Sequence, residues 1–186
     1  MGVVVIVVLV VVALLVIIGL LMFNKLRRLS VDADEGYAQI EVQLSRRADL
    51  IPNLVETVKG YAAHEKSVLE AVTNARAAVK DAHSVNETAA ADGQLTQALN
   101  NVMAVAENYP DLKASSNFLQ LQEELSSTEN KVAFARQFYN DSVRGLNTAI
   151  VTFPSMLFVP VAGISKRDFY EVPDVSQRIA PNVEFG

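Results

Sequence analysis

Val3–Phe23, VVVIVVLVVVALLVIIGLLMF, is the stretch from which the rest of the chain is read, and it holds twenty-one residues without a charge. As a helix rising about 1.5 Å per residue it spans roughly 32 Å, close to the hydrocarbon thickness of a bilayer. Valine and isoleucine are mediocre helix formers in water. In lipid that matters little, because a helix is the one single-segment structure that satisfies its own backbone N–H and C=O groups there. A core helix of this length would carry a polar face. A cleaved signal peptide would carry a basic start, a shorter apolar run and a small-residue cleavage site. Met1-Gly2 has no basic side chain, and the run ends in LLMFNKLRR. The stretch is therefore expected to be an uncleaved membrane anchor. Lys25, Arg27 and Arg28 flank it on the C-terminal side only. By the positive-inside rule the N-terminus then lies outside and the following domain in the cytoplasm, as in a single-pass protein of a bacterial inner membrane.

The formal net charge is −5, which gives no global attraction to nucleic acid or to anionic lipid. The chain has no cysteine, so disulfide and thiol chemistry are excluded and the redox compartment stays open. Asn24–Gly186 suits one domain of ordinary size. Alanine, leucine, valine, glutamate, glutamine and asparagine dominate its middle, and glycine and proline are scarce before residue 152. That composition reads as helix.

Tyr37, Ile40, Leu44 and Ala48 recur at steps of three and four, one face of a helix that continues from the anchor or starts afresh at Ser30 or Asp32. Gly36 is its weakest point. Pro52 lacks an N–H and collides with the carbonyl four residues back. Either the chain turns sharply near Ala48–Leu50, with Asp49 capping a new helix, or one long helix kinks there. The turn is preferred, because Arg46-Arg47 suits a helix C-terminus and Asp49 an N-terminus. A continuous apolar stripe then runs from Ile51 to about Ala82, roughly 48 Å. Ser84–Gly93 reads as a turn or frayed connection. A third helix is expected over Gln94–Asn108, ended by Tyr109-Pro110-Asp111, and a fourth from Asn117 to about Val151. Phe153–Ile164, FPSMLFVPVAGI, is apolar but too short to span. Lys166–Gly186 reads as an extended tail. The expected divisions are 1–29 (anchor and basic flank), 30–151 (helical bundle) and 152–186 (apolar segment and tail).

Four stretches together carry a family resemblance: Val42–Ala62 (VQLSRRADLIPNLVETVKGYA), Tyr109–Leu125 (YPDLKASSNFLQLQEEL), Ala135–Val143 (ARQFYNDSV) and Asn147–Pro154 (NTAIVTFP). They resemble the LemA family, over the whole chain including the anchor. The resemblance implies an all-α fold, an antiparallel four-helix bundle behind an N-terminal transmembrane helix. It implies no catalytic residues. It also brings an association of one relative with magnetosome membrane formation, and the frequent proximity of relatives to a heat-shock-type membrane zinc protease.

The chemistry is sparse. There is no glycine-rich phosphate loop, HExxH or paired CxxC. His64 and His83 are too far apart along one helix to share a metal. Glu123, Glu124 and Glu129 lack the Glu-x-x-His repeats of bundle metal sites and read as a solvated face. Arg46-Arg47 reads as a helix C-terminus with an ion pair inside the bundle rather than a phosphate site. Asn53, Glu56, Tyr61 and Asn140 read as buried hydrogen-bonded positions. No cofactor, metal or catalytic residue is expected. The candidate membrane-flanking residues are Lys25, Arg27 and Arg28. The candidate interface or membrane contacts are Phe153, Met156, Leu157, Phe158, Lys166 and Arg167. The expected partners are the lipid bilayer, further copies of the chain, and another membrane protein if the chain is an adaptor. Two functions compete, a self-associating membrane scaffold and an adaptor for a membrane enzyme such as a protease.

Overall fold

The computed structural model describes residues 1–173, and among them it is all-helical, without strands. The anchor runs without interruption into α1, Gly2–Asp49. Then come α2 (Ile51–Lys59), α3 (Lys66–Asp81), α4 (Val85–Ala106), the short α5 (Pro110–Lys113) and α6 (Ser116–Val151). A 3₁₀ turn, Ser155–Phe158, and the one-turn α7, Val159–Ala162, complete the helices. Lys166–Pro173 has no regular secondary structure, and Tyr170 within it is buried. The rest of the expected tail, 174–186, lies outside the described residues.

The described residues build two compact units: Met1–Gln39 with Ala135–Phe169, and Ile40–Phe134 with 170–173. In the first, the end of α6 runs opposite in direction to α1. Tyr139 lies against Gly36, Leu29 against Gly145, and Phe158 against Gly19. The approach at Gly36 is close enough that a Cβ there would stand 2.9 Å from Tyr139 Cα. Glycine at this point is a packing requirement, and the helix passes through it unbroken. Tyr139 is fixed beside it by a tilted ring contact with Tyr37, centroids 5.9 Å apart, and by a 2.8 Å hydrogen bond donated to the Asp168 carbonyl. Burial pushes the Tyr139 hydroxyl above its ordinary pKa.

The second unit holds the main core, in which Ile51, Leu54 and Val58 of α2 pack with Leu69 and Val72 of α3, Leu95, Leu99 and Val102 of α4, and Phe118 and Leu125 of α6. Three expectations about where helices turn, break and start are corrected here. First, the chain kinks at Pro52 instead of turning. Leu50 alone separates α1 from α2 and keeps right-handed helical angles (φ −78°, ψ −20°), so the helix carries on from Gly2 to Lys59. The carbonyl that Pro52 orphans, that of Ala48, accepts a 3.0 Å hydrogen bond from Arg76 Nε. A side chain from α3 thus replaces the missing backbone donor, and no turn is needed to relieve the proline.

Second, the stripe from Ile51 to Ala82 is two helices. It breaks at Gly60–Glu65, and α3 comes back beside α2 and the end of α1, where Arg76 reaches Ala48 and Lys80 pairs with Asp49 at 3.0 Å. Ala62 in the break is buried in the same core. The apolar phase therefore survives the reversal, which is why periodicity alone does not reveal it.

Third, Ser84–Gly93 is the beginning of α4. Glu87 N–H donates to Ser84 Oγ (3.2 Å), while Ser84 N–H and His83 N–H donate to Glu87 Oε2 (3.1 and 3.0 Å). This capping box satisfies donors that a helix start leaves open. The His83 N–H, more than any other group, holds the Glu87 carboxyl below its ordinary pKa. Thr88, Ala89, Ala91 and Asp92 are buried on this first stretch. By contrast α6 starts within one residue of the expected position. Asn53, Glu56 and Tyr61, expected to be buried, are exposed, and Asn140 is half-buried.

Two substitutions check this architecture. Gly36→Ala should raise local helix propensity by about 1 kcal/mol, yet lower the denaturation midpoint, because the added methyl meets backbone. Arg76→Met should cost roughly 1.5–3 kcal/mol, the worth of a charged hydrogen bond. In a Pro52→Ala background, where residue 52 supplies its own N–H, the same change should cost clearly less. Equal costs in the two backgrounds would sink the replacement-donor account.

Candidate membrane-contact site

The predicted contact residues fall in one unit, around the point where α6 ends. Val151 is its last helical residue, and the Ser155 hydroxyl donates back to the carbonyls of Ala149 (2.6 Å) and Thr152 (3.0 Å). Ser155 is buried, so its side chain meets acceptors that the helix end would otherwise leave open. The chain then bends by 87° into Ser155–Ala162. Gly163 closes α7 in the left-handed conformation (φ +62°), which a side chain would disfavour.

One side of this bent segment is packed. Leu26, Ala149 and Ala162 form a small buried cluster, joined by Phe23, Leu29, Phe158, Val159 and Ile164. Phe158 reaches furthest along the anchor, where a Cβ on Gly19 would lie 3.1 Å from its ring. The other side is bare. Phe153 and Val161 are each 77% exposed, and Met156 and Leu157 are exposed beside them. This surface adjoins the anchor, whose apolar residues from Val3 to Leu21 are also exposed around the helix.

Charge borders the apolar surface. Lys25, Arg27 and Arg28 are exposed one turn beyond the anchor, and the Arg27 guanidinium lies 5.9 Å over the Phe23 ring. Lys166 is exposed. Arg167 is engaged within the fold: it pairs with Asp34 at 2.8 Å, and its backbone N–H and C=O form a reciprocal pair of hydrogen bonds with the Asn147 amide. Of Lys166 and Arg167, Lys166 is the more exposed to an outside partner.

A second polar cluster, in the other unit, is structural. Arg47 is 4% exposed, and its guanidinium pairs with Asp92 (3.5 Å) and Glu129 and donates to Thr96 Oγ1 (2.9 Å). Tyr170 completes it, its hydroxyl shared between Asp92 Oδ2 (2.8 Å) and the Thr88 carbonyl (3.2 Å). The expected ion pair of Arg47 is present, whereas Arg46 is exposed. Glu129, expected on a solvated face, is one of its partners. Asp92 and Tyr170 carry no local sequence signal, because their partners are 45 or more positions away or lie in a stretch read as a turn. His64 and His83 are exposed, and among the described residues no three His, Asp or Glu side chains gather as a metal site.

The profile of the LemA family matches residues 36–185, nearly all of the chain beyond the anchor and its basic flank. The chain belongs to the LemA family. Among curated proteins, this LemA-family chain is 23% identical over 177 residues to magnetosome protein MamQ of Magnetospirillum gryphiswaldense, covering 81% of this chain and 65% of that one. It is 24% identical over 178 residues to magnetosome protein MamQ 2 of Paramagnetospirillum magneticum, covering 82% and 65%. It is 26% identical over 132 residues to protein LemA of Metamycoplasma hominis, covering 70% and 60%. The matched stretch thus spans less than two thirds of each relative's length. The family, and a helix among the described residues that is long and apolar enough to cross a bilayer, indicate a membrane-associated protein.

Arg47→Ala should destabilise the chain by about 3–5 kcal/mol, because it leaves the buried Asp92 carboxylate without its cation. Arg46→Ala, one residue away on the exposed side, should shift the denaturation midpoint little.

Proposed function

We propose that the chain is a non-enzymatic, membrane-anchored scaffold that self-associates and organises or remodels a bacterial inner membrane. In this reading residues 1–29 anchor it with the N-terminus outside, residues 30–151 form an antiparallel four-helix bundle in the cytoplasm, and residues 152–186 serve contact. One observation carries the proposal: the chain spends Phe153, Met156, Leu157 and Val161 on an uncovered apolar surface beside the anchor. Apolar surface left bare in this way marks contact with protein or membrane. The naming of two relatives as magnetosome proteins agrees with a membrane-organising role. The exposed Lys25, Arg27 and Arg28 support the orientation.

Mass measurement of the full-length chain in mild detergent tests the proposal. A homogeneous particle of many copies is expected. A strict monomer would refute self-association. Co-purification of a membrane protease at fixed ratio would favour the adaptor role instead.

A further inference from the structure

We propose that Phe153–Ala162 is a wedge embedded in a single leaflet, the one bordered by Lys25, Arg27 and Arg28, with its depth set by the contact of Phe158 with Gly19. This deepens the scaffold reading and rests on its membrane-spanning anchor.

Three observations give the placement. The first is level. Gly19 stands four residues inside the apolar run that ends at Phe23, about 6 Å along the helix axis. Phe158 touches it, so the ring lies within the apolar layer that the anchor occupies. That depth falls within the roughly 5–10 Å to which interfacial helices sink into the head-group and acyl boundary. The second is orientation. The segment leaves α6 at 87°, so where α6 approaches the bilayer end-on, the 3₁₀ turn and α7 lie along its surface. The third is sidedness. Phe158, Val159 and Ala162 face the anchor cluster, while Phe153, Met156, Leu157 and Val161 are bare.

Acyl chains are the occupant this surface fits. It continues the apolar surface of the anchor without a charged break, and cations edge it where phosphate head groups lie: Arg27 over Phe23 and Lys166 two residues after Ile164. Near an anionic leaflet each such cation contributes about 1 kcal/mol. Ten residues cannot cross the bilayer. Their bulk therefore enters one leaflet only and expands that leaflet relative to the other. Every copy brings the same one-sided expansion at a fixed depth, which bends the membrane around a cluster of copies.

The chain has no cysteine, so single labels are unambiguous. Full-length Leu157→Cys, Val161→Cys, Val10→Cys and Glu70→Cys variants, each carrying an environment-sensitive dye, are reconstituted in vesicles of phosphatidylethanolamine and phosphatidylglycerol. Lipids spin-labelled near the top or at the end of the acyl chain serve as quenchers. The wedge requires quenching of residues 157 and 161 by the shallow label, of residue 10 by the deep one, and none at residue 70. Quenching at residue 10 without any at 157 and 161 overturns the wedge and leaves the anchor standing. No quenching at residue 10 overturns the membrane-spanning reading as well. A dye at 157 that is shielded but unquenched, and only at high protein density, assigns the surface to a second copy and overturns the wedge. Adding Gly19→Leu, which pushes into the Phe158 ring, should abolish shallow quenching at 157 while leaving residue 10 and the helical content unchanged. Unaltered quenching would refute the depth lock.

Discussion

A helix that shows apolar side chains on every side over its first twenty residues has one favourable surrounding, and whatever packs rigidly against it inherits a depth in that surrounding. This constraint reaches well beyond the anchor. Because α1 continues unbroken past the apolar run, and because Gly36 lets the backbone at Tyr139 come close, the end of α6 is aligned on it residue by residue. The packing of Tyr139 at Gly36 and of Gly145 on Leu29 determines that α6 ends beside Leu26 and that Phe158 meets Gly19. Close helix contact through small residues is as available here as within a membrane, and it replaces side-chain interdigitation with near-contact of backbones.

Polar groups in the other unit obey a related rule: a buried donor or acceptor must be met. Ala48 loses its helical donor to Pro52 and gains Arg76 from another helix. Arg47, one residue earlier, is drawn inward and answered by Asp92, Glu129 and Thr96. Two successive residues thus connect the end of α1 to α3, α4 and α6 by directional bonds. Apolar burial alone does not discriminate among registers of long helices, because a slip of one turn buries a similar area. The buried guanidinium, with partners at fixed positions on two other helices, does discriminate, and we regard register as its main contribution beyond net stability.

Glu87, with its pKa lowered, serves a helix cap, while Tyr109, linked to Glu65, and Tyr139, in a packing contact, have theirs raised. The membership in the LemA family and the relatives among magnetosome proteins fit a membrane-associated protein.

Much of this was legible in the residues alone. An uncharged apolar run satisfies its backbone only as a helix in an apolar surrounding, so Val3–Phe23 announces a helix long and apolar enough to cross a bilayer. Steps of three and four named the buried faces, and Asn117–Val151 was located to within a residue because nothing interrupts its pattern. Phe153–Ile164 stood out because apolar residues with two prolines suit neither a spanning helix nor a bundle stripe. Other features depended on tertiary structure. Whether Pro52 turns or kinks the chain depends on a donor twenty-four positions later, Arg76. The reversal at Gly60–Glu65 preserves the apolar phase and so is invisible to periodicity. The start of α4 was hidden by Asn, Thr and Asp, which disfavour helix until a capping box and burial outweigh that preference. Gly36 read as a weak point because propensity describes an isolated helix, whereas its Cβ would collide with a backbone that only folding brings near. Local sequence reports which side of a helix is apolar. Which helix covers it, and at what height, is decided by contacts between residues far apart in the chain.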